Sequence, residues 1–222
     1  MIRLKKSLLL GFCLLAISYL QAQSVPNYSF ENWDFYHGTN FEAPAHWVTN
    51  DILTARFSPK YKGASTTKTS DAHSGSYAVK MQVVVDHGET VNGCVYSTGS
   101  VDSLVYFYSG KANAGFSFDK KATSLNGYYK FSSVGGDSAI FGVTLTKWNT
   151  TKNKRDTLVN TVFIAGHPTP EYAPFVVPFK YRVADEQPDT ALIVIGIQST
   201  HGQDAHLGTT LYIDDVGFGI GK

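Results

Sequence analysis

The stretch Ser124–Trp148, SLNGYYKFSSVGGDSAIFGVTLTKW, decides the fold. Its first third alternates. Leu125, Gly127, Tyr129 and Phe131 fall on one face, and Tyr128 and Lys130 fall on the other. Ser133-Val134-Gly135-Gly136-Asp137 reads as a turn, because paired glycines accept positive φ. Alternation then resumes. Phe141, Val143 and Leu145 share one face; Thr144, Thr146 and Trp148 share the other. A period of two marks a strand with one buried face. The reading predicts two adjacent strands joined by a glycine turn, with Tyr128, Lys130 and Trp148 on their polar face. An aromatic side chain on a wet face calls for a reason.

Composition extends the reading outward from this stretch. Tyr, Phe and Gly are abundant, and no helical period stands out, so the chain reads as all-β. The first 22 residues have the build of a secretory signal peptide. Arg3, Lys5 and Lys6 precede an apolar run, Leu8–Leu20, that is too short for an ordinary membrane span. Cleavage is expected after Ala22, leaving residues 23–222 as one domain that is periplasmic, on the cell surface or secreted. Cys13 lies mid-run rather than at a cleavage point, which argues against lipidation. Losing the leader's three positive charges takes the formal net charge from +1 to −2. That balance gives nucleic acid nothing to grip. Only Cys94 remains afterwards, so an intrachain disulfide is excluded.

Taken in order, Asn27–Trp33 reads as a first strand with Phe30 inward, and Asp34–Trp47 as an aromatic loop. Asn50–Thr69 reads as a polar surface excursion. After the turn at Asp71–Gly75, Tyr77, Val79, Met81, Val83 and Val85 are expected inward along one strand. Cys94–Tyr108 reads as two short strands. Further strands are expected at Thr157–Ala165, Phe175–Arg182, Leu192–Ile197 and Leu211–Phe218. Leu192–Ile197 is apolar on both faces, as in a strand covered on both sides. About ten strands without intervening helices predict an antiparallel β-sandwich of the jelly-roll kind.

Three short motifs carry a resemblance. They are Asn27-Tyr28-Ser29-Phe30-Glu31, His73-Ser74-Gly75-Ser76-Tyr77-Ala78-Val79 and Leu211-Tyr212-Ile213-Asp214-Asp215-Val216. In that order they resemble the jelly-roll carbohydrate-binding modules with the galactose-binding-like fold. The central SLNGYYKF…GGDSA…LTKWN, with Tyr172…Phe175-Val176-Val177-Pro178-Phe179, is similar to the carbohydrate-metabolism domain of exported Bacteroidota-type proteins. The resemblance implies an exported sandwich associated with carbohydrate. It also implies a structural calcium where the first and last strands meet. Its ligands would be Glu31, Asp214 or Asp215, and backbone carbonyls around His73–Ser76. Independently, Asp214 shares a strand face with Val216 and Phe218, so it is expected inward and in need of a partner.

Catalytic signatures are absent. There is no HExxH, CxxC, Walker loop or dinucleotide fingerprint, and no organic cofactor is implied. Gly136-Asp137-Ser138 lacks the following helix of a nucleophile elbow. His201 and His206 suit no zinc spacing. Trp148 is the leading binding candidate, since a ring can stack on a pyranose while Thr146 and Lys147 hold hydroxyls. Burial of Trp148 under the Asn149–Arg155 turn is the competing expectation. Tyr128 and Lys130 join the site only if Trp148 lies beside them; Tyr96 fits either a site or the core. Trp33, Tyr36 and Trp47 read as packing. Four Asp-[Ser/Thr]-[Ala/Leu] triplets, at 102, 137, 156 and 189, are similar to the O-glycosylation motif of exported Bacteroidota proteins. They are read here as turn-to-strand chemistry. The sequence thus points to a non-catalytic carbohydrate-binding sandwich. Its rivals are a glycan-degrading enzyme and a structural or adhesion protein with envelope partners.

Overall fold

A computed structural model describes residues 25–36, 41–63, 65–98, 100–108, 114–199 and 204–220. The leader and His201 lie outside the described residues. The first strands are β1 (Trp33–Phe35), β2 (Glu42–Pro44), β3 (Val48–Thr49) and β4 (Thr66–Thr69). Next come β5 (Ala78–Gln82), β6 (Val84–Asp86), β7 (Glu89–Val91), β8 (Cys94–Tyr96) and β9 (Phe116–Ser117). Long strands follow: β10 (Ala122–Ser132), β11 (Ser138–Asn149), β12 (Lys154–Ala165), β13 (Thr169–Pro178), β14 (Thr190–Gln198) and β15 (Thr210–Ile220). Helix α1 (Asn50–Phe57) follows β3, and α2 (Val101–Tyr108) follows β8.

Two sheets enclose the core. One has the order β13-β10-β15-β5-β4; the other has β12-β11-β14-β8-β3, with β9 also on β14. Every pairing in them is antiparallel. The chain is an all-β sandwich of the jelly-roll type. Its centre is aromatic: the Phe141 ring lies 4.3 Å from Phe175 and 5.3 Å from Tyr129, bridging the two sheets.

The alternation in Ser124–Trp148 holds, but the expected pairing does not. β10 belongs to the five-stranded sheet and β11 to the six-stranded one. The Ser133–Asp137 turn, with Gly135 and Gly136 at φ of 60° and 85°, is a crossover between layers. The cause is that both strands offer an unbroken apolar face. Leu125, Tyr129 and Phe131 bury themselves against Phe141, Val143 and Leu145 only if the strands face each other across the core.

Three local expectations are also corrected. Asn27–Ser29 forms a turn rather than a strand, although Phe30 is buried as expected, 5.2 Å from the Trp47 ring. The strand behind Gly75 ends at Gln82. Val83 then donates its N–H to the Thr209 carbonyl, and Val85 is exposed on the separate β6–β7 ribbon.

Helices stand where a polar excursion and a second strand were expected. The Thr49 hydroxyl caps α1 by accepting the Ile52 N–H at 3.2 Å. Asp51, buried in the first turn, accepts the Ser65 and Thr66 N–H groups at 3.0 and 2.7 Å. A cap and one buried carboxylate hold a helix that hydrophobic periodicity does not announce. In α2, Val101 and Leu104 sit three apart on one buried face. They join Ile52, Tyr96 and Leu192 in a second cluster. That layer covers the outer face of β14, which accounts for its double-sided hydrophobicity.

Phe141→Ala should cost about 3–5 kcal/mol, as for other fully buried phenylalanines. A urea melt of the variant should show a markedly lower midpoint with an unchanged slope.

Candidate functional site

Trp148 stands near the end of β11, where the six-stranded sheet runs out into the 150–153 turn. It is 41 % exposed, so no loop closes over it. Trp33 and Trp47 instead give their indole N–H groups to the Phe30 and Pro26 carbonyls. The backbone beneath Trp148 is held firmly. Its N–H donates to Asp189 Oδ2 at 2.8 Å, and Asp189 is ion-paired with Arg155, which lies opposite Trp148 in the ladder. Burial alone would raise the Asp189 carboxyl. Hydrogen bonds from Trp148, Arg155 and Thr190 more than offset this and hold it below its usual range.

A cleft of about 190 Å3 adjoins the ring, lined by Lys147, Trp148, Asn149, Thr150, Asp156 and Glu186. Asn149 Nδ2 donates to Asp156 Oδ2 at 2.6 Å, and Lys152 Nζ lies 3.1 Å from the same oxygen. These two hydrogen bonds pull the Asp156 carboxyl below its usual range and keep it charged. One exposed indole beside fixed amide, ammonium and carboxylate groups can stack on a sugar ring and bond its hydroxyls.

Tyr128 and Lys130 are not part of that cleft. Their strand lies in the other sheet, so they face the opposite side of the sandwich. The Tyr128 ring is stacked on His73 at 3.5 Å between centroids. Lys130 is ion-paired with Asp71 and sits over the Tyr172 and Tyr212 rings at 5.0 and 4.6 Å. These groups partner one another. Tyr96 is buried in the second cluster, and its hydroxyl donates to Asn50 Oδ1 at 3.0 Å. The sequence reading missed Asp156, Glu186 and Asp189. Asp156 and Asp189 had shown only as turn residues of the repeated triplet, and Glu186 gave no signal of its own.

The residues expected around calcium do converge. Glu31 Oε1 accepts the N–H groups of Ser76 and Tyr77 at 2.9 and 3.1 Å. Asp214, fully buried, accepts those of His73 and Ser74 on Oδ2 at 2.9 and 3.1 Å. Asp215 meets His73 Nδ1 at 2.8 Å and the Ser74 hydroxyl at 2.9 Å. Gly75 makes room, since a Cβ there would stand 2.2 Å from Glu31 Oε1. The 73–77 turn therefore offers N–H donors where calcium requires carbonyl oxygens. Among the described residues no three His, Cys, Asp or Glu side chains group as a metal site. The donor set does not fit calcium; the carboxylates are satisfied as a clasp between the N-terminal turn, the 73–77 turn and β15.

The repeated triplets divide. At 137 and 189 the Asp precedes a strand or its first pairing, and at 156 it lies within β12, whereas Asp102 opens α2. Ser138 is buried, so the folded chain offers no acceptor hydroxyl there. Asp137 is buried too. It accepts the His206 N–H at 2.6 Å and the Thr209 hydroxyl at 2.7 Å, and it meets His206 Nδ1 at 2.9 Å. Burial works to raise its pKa, but the bonds from His206 and Thr209 outweigh burial and lower it.

No family model and no curated protein matches the chain. Its fold is similar to the crystal structure of a Bacteroides thetaiotaomicron protein described as a candidate glycoside hydrolase. The TM-score is 0.65 at 14% identity, covering 88% of this chain and 71% of that one. Fainter likenesses include a family 61 carbohydrate-binding module in complex with β-1,4-galactotriose, with TM-score 0.39, 10% identity and coverages of 91% and 98%. A xylan-binding domain from Paenibacillus barcinonensis gives TM-score 0.39 at 12% identity, with coverages of 87% and 93%.

Two outcomes follow for the clasp and the crossover. Melting temperature should be unchanged by chelator or added calcium, whereas Asp214→Ala, which removes the acceptor of the part-buried His73 and Ser74 N–H groups, should cost about 1–3 kcal/mol in all. A melt that falls in chelator would restore calcium to Glu31, Asp214 and Asp215. Because Asp137 has a lowered folded pKa, its contribution is complete above its unfolded value of 3.8. It is lost as pH falls through the folded value. The stability gap between wild type and Asp137→Asn, read from urea midpoints, should therefore shrink from neutral pH to about pH 3.

Proposed function

We propose that this chain is an exported, non-catalytic carbohydrate-binding protein whose platform is Trp148. The observation that carries the reading is an exposed indole, rigidly seated through Asp189, beside a cleft of fixed polar side chains. Apolar burial of one sugar face against the ring supplies affinity, and Asn149, Lys147 and the ionised Asp156 orient hydroxyls. The apolar leader supports export. The three motifs and the central stretch support kinship with the carbohydrate-metabolism domain of exported Bacteroidota-type proteins.

Glycan cleavage is the second reading, because two carboxylates, Asp156 and Glu186, line the same cleft. Paired acids are the usual apparatus of glycosidases. Against it, Asp156 is held charged by Asn149 and Lys152, which suits binding better than proton donation. An adhesion role with envelope proteins as partners would use a broad apolar surface instead.

Affinity electrophoresis of Gln23–Lys222 through gels cast with neutral and acidic polysaccharides tests the proposal. Retardation in at least one gel, reduced at least about tenfold in affinity by Trp148→Ala, is expected. Reducing ends released in the same gels, and lost in Asp156→Asn or Glu186→Gln, would establish cleavage instead. Migration unaltered by every glycan would end the carbohydrate reading.

A further inference from the structure

A cleft of about 470 Å3 opens between the β1–β2 ribbon and β4, the last strand of the five-stranded sheet. That volume lies in the roughly 300–1,000 Å3 range of small-ligand sites. Phe35, Phe41, Glu42, Thr66 and Lys68 line it, and none of them lines the cleft at Trp148. Gly63 seats the Phe41 ring, since a Cβ there would stand 2.6 Å from it. Phe35 is 67% exposed, although its side chain has no polar group to offer water. It stands opposite Glu42 in the β1–β2 ladder. The Glu42 carboxylate meets Lys68 Nζ at 2.7 Å, and the same ammonium lies 5.1 Å from the centroid of the Tyr77 ring. The Lys68 and Glu42 side chains are 30% and 31% exposed, so a guest can reach both. Thr66 is 3% exposed, and its hydroxyl finds no hydrogen-bond partner among the described residues. Buried hydroxyls are seldom left so.

We propose that this cleft is a second glycan site, separate from Trp148, and that it takes a neutral sugar unit. The open Phe35 ring gives the apolar face of a sugar a surface to stack on. The Glu42–Lys68 pair sets acceptor oxygens beside an ammonium donor, which matches hydroxyls that both donate and accept. The pair carries no net charge, which favours a neutral ring over a uronate. A hydroxylated guest also offers Thr66 the partner it lacks. An extended peptide suits the place less well, because β4 gives it only four residues of edge. The choice of a sugar as guest rests on the carbohydrate-binding reading of the chain, whereas the cleft itself does not depend on Trp148.

Amide NMR titrations of Gln23–Lys222 with galactotriose, xylotriose, cellotriose and trigalacturonate test the inference. The amides of Phe35, Glu42, Thr67 and Lys68 report on the cleft, and those of Trp148 and Asn149 on the platform. At least one neutral trisaccharide should shift the cleft amides with a dissociation constant at or below about 1 mM. Trigalacturonate should bind there at least about tenfold more weakly. Phe35→Ala should weaken binding at the cleft at least about tenfold and leave the Trp148 response intact, and Trp148→Ala should do the reverse. Circular dichroism melts of both variants report whether the fold survives. Cleft amides that no neutral trisaccharide moves overturn the inference, whatever happens at Trp148. So does a preference for trigalacturonate, or a cleft response that a folded Phe35→Ala variant retains. A cleft response in a chain whose Trp148 amides stay still sustains the inference and ends the platform reading alone.

Discussion

The buried carboxylate of Asp137 fixes the point at which the chain changes layers. It is met by the His206 amide and the Thr209 hydroxyl, while the Ser133 hydroxyl holds the Asp137 carbonyl at 2.7 Å. The loop before β15 is thereby tied to the crossover between β10 and β11. A charged group costs several kcal/mol to bury unless it is paired and hydrogen-bonded, so the crossover has one low-energy arrangement. Everything on the two outer faces depends on it. With the crossover set, the Tyr128 face and the Trp148 face look in opposite directions.

Those two faces differ in how their polar groups are spent. On the five-stranded sheet, His73, Tyr128, Tyr172 and Lys130 are engaged with one another. Burial, Asp214 and Asp71 push the Tyr172 phenol up, so it stays a neutral donor to the Asp71 carbonyl at 2.7 Å. Glu31, Asp214 and Asp215 complete this closed network, which binds both ends of the sandwich to the 73–77 turn. At Trp148 the partnered groups hold the backbone, and no described ring or cation is recorded against the indole. Asp189 and Arg155 seat the backbone, and the indole is left toward solvent. An aromatic on a polar face is thus ambiguous until its ring's neighbours are known.

The sheet edges show a similar division. Prolines and shortness dispose of three, and the fourth, β12, carries no charge from Thr157 to Ala165. Cys94, whose thiol burial pushes up to about 12, serves as packing under the helical layer.

Alternation in β10 and β11, the double-sided run of β14 and the inward Phe30 were legible in the sequence, because burial of a periodic apolar face is a local property of the chain. So was the convergence of Glu31, the 73–77 turn and Asp214, through the resemblance of its three motifs. Helix α1 was not legible, since a cap and the contact of Asp51 with Ser65 and Thr66 hold it rather than a hydrophobic stripe. The partners of Trp148 come from three separated stretches, and no local pattern joins Glu186 or Asp189 to it. Above all, the sequence by itself determined that Ser124–Trp148 makes two one-sided strands. Only the tertiary structure decided that they face each other across the core, because two apolar faces bury more surface opposed than side by side. That choice separates Trp148 from Tyr128 and Lys130.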